Sequence, residues 1–175
     1  MIDLAEDSEV FEWKKMNNLI QGKPLRLKGH TAVVYKASMI IFGGELHTNE
    51  SSNAVYIYDF LENCWKEPKV SGVSVPKIDS HTATVIDSKM YVLGGYIPEK
   101  AENMKNIYCL DLEKFEWELF YEGKVSGSEP EPRSNFSVIS HSGSLYIFGG
   151  TNGQNTLNDF WKFSLAKKQW ECLKT

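Results

Sequence analysis

Three short apolar runs divide the chain at regular intervals, and each run ends in a pair of glycines. The runs cover residues 39–42, 90–93 and 145–148, directly before Gly43-Gly44, Gly94-Gly95 and Gly149-Gly150. Runs of this length that are bounded by glycine predict buried β-strands, and no helical period of 3.6 residues extends over a useful length. The pattern therefore predicts an all-β protein.

The tryptophans show that these runs belong to a larger repeat. Trp13, Trp65, Trp117 and Trp170 are separated by 52, 52 and 53 residues, with the glycine pairs between them, so three copies of one unit can be written out. Each copy predicts four strands: the first at 30–34, 81–85 and 136–139, the second in the apolar run, the third at 54–59, 106–111 and 159–164, and the fourth at the tryptophan.

Three features recur in each copy: the glycine pair, a Tyr-Asp-like pair, and a Trp six residues after the Asp position. They read Gly43-Gly44, Tyr58-Asp59, Trp65; Gly94-Gly95, Leu110-Asp111, Trp117; and Gly149-Gly150, Phe163-Ser164, Trp170. At these residues the sequence resembles the kelch repeat family. The third copy departs by carrying Ser164 at the Asp position. The family's Arg-x-x-His segment is also incomplete, since the third copy keeps Arg133 but has Phe136 in place of the His.

The resemblance implies a kelch-type β-propeller, in which four-stranded blades surround an axis. We expect three complete blades, at residues 15–66, 67–118 and 119–175, preceded by a lone outer strand within residues 1–14. Propellers typically carry about 4–8 blades, so three blades form a partial propeller with exposed end blades. In kelch-like propellers an N-terminal strand often completes the last blade. We therefore expect the chain to associate, with itself or with a missing remainder.

The repeated residues are expected to build the blades. Glycine allows close backbone approach and positive φ at the end of an inner strand, and the tryptophans supply apolar area to the packing between blades. Asp59 and Asp111 are expected to accept hydrogen bonds that fix the turn into the fourth strand. His30 and His81 share one repeat position and are expected in the core or between blades.

The spacing of these markers divides the loops into two classes. From the first strand to the glycine pair every copy has an interval of 13 residues, and from the Asp position to the Trp an interval of 6. From the glycine pair to the Asp position the interval varies from 14 to 16, and from the Trp to the next first strand from 16 to 19. In an antiparallel blade these two classes emerge at opposite ends. One face of the ring is therefore uniform and the other individual, and loop variation on a rigid scaffold provides specificity.

The individual face supplies the candidate binding residues. Its mixture of Tyr, His, Asn, Arg and acidic side chains suits a polar groove for a protein or peptide. Arg133 has the alternative of a structural salt bridge between blades, and a solvated loop position is the alternative for every member of the set. Partner contacts are expected from Glu45, His47, Asn49, Tyr96, Arg133, Asn135, Asn152 and Gln154.

Composition narrows the class of partner. Of the 175 residues, 42% are apolar and 24% charged, which excludes a disordered chain. No stretch approaches the roughly 18 apolar residues of a membrane span, and the acidic start is unlike a secretory signal. The net charge of −4 and the absence of a Lys or Arg cluster argue against nucleic acid. Cys64, Cys109 and Cys172 have the spacing of neither a disulfide framework nor a zinc site, so we expect a cytoplasmic protein, with the nucleus as the alternative.

No catalytic, cofactor or metal site is expected in this chain. Some kelch-like propellers are enzymes, but a galactose-oxidase-like copper site needs several converging Tyr and His ligands, and of four histidines only His47 is well placed. Gly-x-Ser-x-Gly, Walker and Cys-x-x-Cys motifs are missing from the sequence. The function predicted is a non-catalytic interaction scaffold. The alternative is a fragment of a kelch-type enzyme whose catalytic residues lie in missing blades.

Overall fold

This computed structural model describes residues 26–124 and 128–173, and nearly all regular structure in them is β-strand. In chain order the strands are β1 Leu27–Lys28, β2 Thr31–Tyr35, β3 Ser38–Phe42, β4 Glu45–Leu46, β5 Val55–Asp59, β6 Cys64–Lys66, β7 Ser71–Gly72, β8 Thr82–Ile86, β9 Lys89–Leu93, β10 Tyr96–Ile97, β11 Glu102–Asn103, β12 Ile107–Asp111, β13 Glu116–Tyr121, β14 Ser137–His141, β15 Ser144–Phe148, β16 Phe160–Ser164 and β17 Gln169–Leu173. The described part of the chain also contains a single 3₁₀ turn, Pro98–Lys100. The predicted all-β class is confirmed.

Three antiparallel sheets of four strands form the blades. Blade 1 has the strand order β2-β3-β5-β6, blade 2 the order β8-β9-β12-β13, and blade 3 the order β14-β15-β16-β17. Each first hairpin closes over a two-residue turn; in blade 1, Tyr35 pairs with Ser38. The four-stranded blades predicted for a partial β-propeller are therefore confirmed for these residues. The lone outer strand predicted within residues 1–14 lies outside the described residues.

The core lies between the blades rather than inside any one of them. The first strands β2 and β8, and β8 and β14, lie side by side. Between blades 1 and 2, Phe42 packs at 4.8 Å, ring to ring, on Trp117 of the outer strand β13. Between blades 2 and 3, Leu93 shares a buried cluster with Ile147 and Phe163. Burying an aromatic or large aliphatic side chain is worth about 1.5–3 kcal/mol, so each blade depends on its neighbour for stability.

The glycine pairs are the points of closest approach between blades. A Cβ on Gly94 would lie 2.5 Å from the carbonyl oxygen of Arg133 and 2.8 Å from Phe136 Cζ, both at the entry to blade 3. A Cβ on Gly95 would instead lie 2.6 Å from His81 Cβ within its own blade. Both glycines also have positive φ, of 57° and 96°. The first glycine therefore touches the next blade, and the second touches the first strand of its own blade.

The two histidines of the repeat differ in burial. His81 is buried between blades 1 and 2, where its Nε2 lies 2.9 Å from Thr31 Oγ1. Burial lowers the pKa of His81 to about 4. His30 was also expected in the core or between blades, but it is exposed. The reason is its place on blade 1, since among the described residues no blade lies on that side to cover it.

The turn into each fourth strand is held by the Asp position, as the sequence predicts. Asp59 Oδ1 accepts hydrogen bonds from the backbone N–H groups of Leu61 at 2.9 Å and Glu62 at 3.0 Å. Asp111 does the same two and three residues further on. In the third copy Ser164 Oγ accepts a hydrogen bond from Lys167 N at 3.3 Å, so the hydroxyl takes over part of this role.

Two features were not predicted from the apolar pattern. The segment between blades 1 and 2 adds β7 in parallel to the outer edge of blade 2, where Ser71 pairs with Glu116 and Gly72 with Trp117. The loop after Gly95 forms a small ribbon, in which β10 pairs with β11 around the 3₁₀ turn.

Candidate partner-binding face

Both classes of variable loop leave the blades at the same end. In blade 1 the segment before the first strand pairs with the segment after the glycine pair, through β1 and β4. Single bridges at the same repeat positions join Asp79 to Tyr96 in blade 2 and Ser134 to Thr151 in blade 3. The two loop classes are thus hydrogen-bonded side by side in every blade, and together they form what we call the loop face.

Backbone hydrogen bonds also connect the loop face from one blade to the next. Ser80 N donates to the carbonyl oxygen of Gly29 at 2.8 Å, and Asn135 N donates to that of Ser80 at 2.9 Å. The three residues share one repeat position and have positive φ, of 63°, 55° and 54°. This line of hydrogen bonds gives the loops a common backbone platform.

The blade 1 loop is held at its base and free at its tip. Lys28 Nζ lies 3.0 Å from Glu45 Oε1, and both are on the paired strands β1 and β4. Buried Ser51 donates to Asp79 Oδ2 at 2.8 Å, which ties the loop to blade 2. His47 and Asn49 are exposed at the tip. Of the predicted contact residues in this loop, Glu45 is therefore engaged while His47 and Asn49 are available.

The blade 2 loop presents Tyr96 beside the small ribbon. The Tyr96 side chain is exposed, whereas the next residue of the ribbon, Ile97, is buried. Asn103 Nδ2 lies 3.5 Å from the carbonyl oxygens of Pro132 and Thr151, so the ribbon contacts the loops of blade 3. Tyr96 thus presents an exposed aromatic ring on a ribbon whose position is fixed by contacts with blade 3.

In the blade 3 loop, Asn152 has a local structural role. Its Oδ1 accepts hydrogen bonds from Gln154 N at 2.9 Å and Asn155 N at 2.8 Å, and its Nδ2 donates to Glu131 Oε2 at 2.7 Å. Gln154 and Asn135 are exposed. Asn152 therefore shapes the loop that displays Gln154.

Arg133 lies inside blade 3 rather than on its surface. Its side chain is only 2% exposed and forms a two-pronged salt bridge with Asp159, at 2.5 Å and 2.7 Å. It also donates to the carbonyl oxygens of Glu131 and Gly149, both at 3.0 Å. A partner therefore cannot reach this guanidinium. The salt bridge joins two segments of one blade, not two blades as the alternative held.

Sequence reasoning missed Asp159 as the partner of Arg133. The guanidinium holds the pKa of this carboxyl below its usual range. One signal lay in the repeat itself: the equivalent positions are Leu27 with Ala54 in the first copy and Ile78 with Asn106 in the second. An Arg and an Asp thus enter together in the third copy alone, which is the pattern of a contacting pair.

Groups that could perform chemistry are sparse in this structure. Within residues 26–124 and 128–173 there is no cluster of three or more His, Cys, Asp or Glu side chains placed to hold a metal ion. Burial raises the pKa of the Cys109 thiol to about 12, which makes this thiol a poor nucleophile. Among the same residues no helix has the length and apolar character required to cross a membrane.

Comparison with known proteins matches this chain to one family of repeat domains. Residues 4–175 match the family described as the KLHDC2/KLHL20/DRC7 Kelch-repeats domain. Among curated relatives, the chain is 27% identical to the Leucine-zipper-like transcriptional regulator 1 homolog of Drosophila melanogaster, over 97% of this chain and 18% of that protein. It is 24% identical to Kelch domain-containing protein 3 of Homo sapiens, over 86% of this chain and 55% of that protein.

A third relative is a probable serine/threonine-protein kinase of Dictyostelium discoideum, 31% identical over 82% of this chain but only 11% of the kinase. The chain thus spans about half or less of the length of these relatives. The likeness therefore does not extend to the whole of these proteins.

Proposed function

Because the chain belongs to the kelch-repeat family, we propose that it is a non-catalytic interaction module that binds a protein or peptide through its loop face. The observation that carries the proposal is the pairing of both variable loop classes at one end of every blade. Loops that differ in length and sequence are thereby displayed together on a regular scaffold, which is how such folds acquire specificity.

The chemistry of the exposed tips supports a polypeptide partner. His47, Tyr96 and Gln154 come from three different blades and combine an imidazole, an aromatic ring and an amide. Tyrosine is enriched where proteins bind one another, because its ring buries apolar area while its hydroxyl forms a hydrogen bond. Glu45, Asn49, Asn135 and Asn152 belong to the same set of loops and are included in the proposed surface. Arg133 is left out of the proposed surface because it is buried.

The location of the protein is part of the same proposal. Cys64, Cys109 and Cys172 are all free thiols. Cys109 is buried and Cys172 exposed, so their chemistry suits a compartment that keeps thiols reduced. We place the protein in the cytoplasm or nucleus.

The test compares three immobilised baits in affinity capture from cell extract with quantitative mass spectrometry. One bait is the unaltered chain. The second carries His47→Ala, Tyr96→Ala and Gln154→Ala on the loop face. The third is a matched control with one change per blade at exposed turns of the opposite face, Glu62→Ala, Lys114→Ala and Lys167→Ala.

We expect a set of proteins that the unaltered chain and the control retain and that the loop-face variant loses. All altered residues are exposed, so thermal melting of the three baits should agree. A set that depends on the opposite face, or that is the same for all three baits, would refute the assignment.

A further inference from the structure

The two end blades expose apolar side chains that are covered everywhere else in the repeat. Phe148 of blade 3 is 54% exposed, whereas the equivalent Phe42 and Leu93 are 0% and 2% exposed because the next blade covers them. Gly149 shows the same difference: an added Cβ would meet only the Leu157 oxygen, at 3.2 Å, where Gly43 and Gly94 press on the following blade. The outer face of blade 3 is thus the first half of a blade–blade junction.

Blade 1 presents the second half of that junction. Val34 is 64% exposed on the face of blade 1 that no other described blade covers. The equivalent positions in blades 2 and 3 are Val85, which packs into the cluster between blades 1 and 2, and Ser140, which accepts a hydrogen bond from Thr84 Oγ1 at 3.3 Å. Because Thr84 is equivalent to Ile139, the residue that should face Val34 is Ile139, itself 63% exposed.

Three further contacts seen between neighbouring blades can be transferred to the equivalent residues of blade 3 in one copy and blade 1 in another, and in each case the two residues are compatible. Thr31 with His81 becomes Ser137 with His30, again a hydroxyl beside an imidazole. The hydrogen bond from Gly95 N to the Arg133 oxygen, 2.9 Å long, becomes one from Gly150 N to the Leu27 oxygen. The ring of Trp65 takes the place over Phe148 that Trp117 has over Phe42. No like charges meet in any of these pairs.

We infer that the two open ends bind a second copy of this chain, blade 3 of each copy against blade 1 of the other, and so close a six-bladed ring with twofold symmetry. A head-to-tail contact closes only when the rotation per copy divides a full turn. Propellers carry about 4–8 blades, and with three blades per copy six is the only multiple of three in that range. This inference does not rest on the proposed function of the loop face.

The experiment measures the solution mass of the full 175-residue chain by sedimentation equilibrium, from low to high micromolar concentration. We expect a dimer with twice the 19.9 kDa mass of one chain, in reversible exchange with the monomer. Val34→Glu and Ile139→Lys each put an unpaired charge into both junctions. Each variant should therefore raise the dissociation constant by ~100-fold or more. The matched control is Leu119→Lys, an exposed residue on the outer strand of the middle blade, which should leave the dimer unchanged.

Mixing the two single variants provides the decisive measurement. In a head-to-tail ring of one chain of each kind, one junction has unaltered Val34 against Ile139 and the other has Glu against Lys. The equimolar mixture should therefore form a one-to-one dimer that neither variant forms alone. Circular dichroism should show all variants folded, since both altered residues are exposed.

Four results would overturn the inference. A monomer at every concentration would leave further blades of a longer polypeptide, or another protein, as the occupant of the end faces. Open polymers of increasing mass would show that the contact does not close. Dimers insensitive to Val34→Glu and Ile139→Lys would use another surface. Failure of the mixture to dimerise, when the unaltered chain does, would exclude the head-to-tail arrangement.

Discussion

Replacing Gly94 by alanine tests whether the glycine pairs exist for packing between blades or only for backbone conformation. Gly149 is the matched control, because it occupies the same repeat position with nearly the same φ, 66° against 57°. Forcing alanine into this left-handed region costs about 1–2 kcal/mol at either site. The two sites differ in what surrounds them, and that difference isolates the packing.

At Gly94 the added methyl group meets atoms that cannot move aside easily. It would lie 2.5 Å from the backbone oxygen of Arg133 and press against the ring of Phe136, whereas at Gly149 the nearest atom is the Leu157 oxygen at 3.2 Å. Overpacking of this kind costs about 1–3 kcal/mol. Gly94→Ala should therefore lower the free energy of unfolding by about 1–3 kcal/mol more than Gly149→Ala does.

Urea denaturation followed by tryptophan fluorescence measures this difference, provided that the slope of the transition is the same for both variants. Both substitutions are made in the Ile139→Lys chain, so that a second copy does not cover Gly149. Equal losses of stability at the two sites would refute the packing argument and leave backbone conformation as the sole reason for the glycines.

Three further predictions concern the polar groups of the repeat. Burial lowers the pKa of His81 from its ordinary value of 6.5 to about 4, so between these pH values His81 binds a proton in the unfolded chain but not in the folded chain. The free energy of unfolding should therefore fall as the pH drops from 6.5 to 4, and His81→Phe should make this fall less steep in urea titrations. An equally steep fall in both chains would contradict the prediction. Asp159→Asn should destabilise the chain by about 1–3 kcal/mol at pH 7, since buried Arg133 loses its charged hydrogen-bond partner. Because the pKa of Asp159 is lowered, the original chain loses this advantage as pH falls below the ordinary value of 3.8, so the two stabilities should converge in acid; a constant gap would contradict the assignment. Asp111→Ala should cost about 1 kcal/mol in thermal melts and Asp111→Ser less, and equal losses would show that the hydroxyl of the third copy cannot replace the carboxylate.

The strands and their turns were predictable because their signals are local and occur three times. The short apolar runs, the glycine pairs and the Asp positions each specify the backbone within a few residues. The register of β2 with β3 follows from a two-residue turn, so little is left for distant contacts to decide.

What the sequence did not reveal depends on contacts between distant segments. Arginine is a residue type usually found at the protein surface, and only the fold brings Arg133 against Asp159. The exposure of His30 depends on which blade stands beside it, which no local pattern contains. Ser71-Gly72 has no apolar pattern, and it becomes a strand because the outer edge of blade 2 offers it hydrogen-bonding groups.

The parallel strand β7 also bears on how this fold resists aggregation. An open sheet edge offers unpaired N–H and C=O groups to any extended chain nearby, and that is how amyloid-like growth begins. β7 pairs with the outer edge of the middle blade and so covers part of that edge. A Cβ on Gly72 would collide with the backbone of Trp117, so only glycine allows β7 to approach β13 this closely. Among the described residues, blade 1 limits the hazard by having an outer strand of only three residues, Cys64–Lys66. Among the described outer strands, the five residues Gln169–Leu173 of blade 3 form the longest one that pairs with no further strand on its outer side, and a misfolded neighbour could pair there.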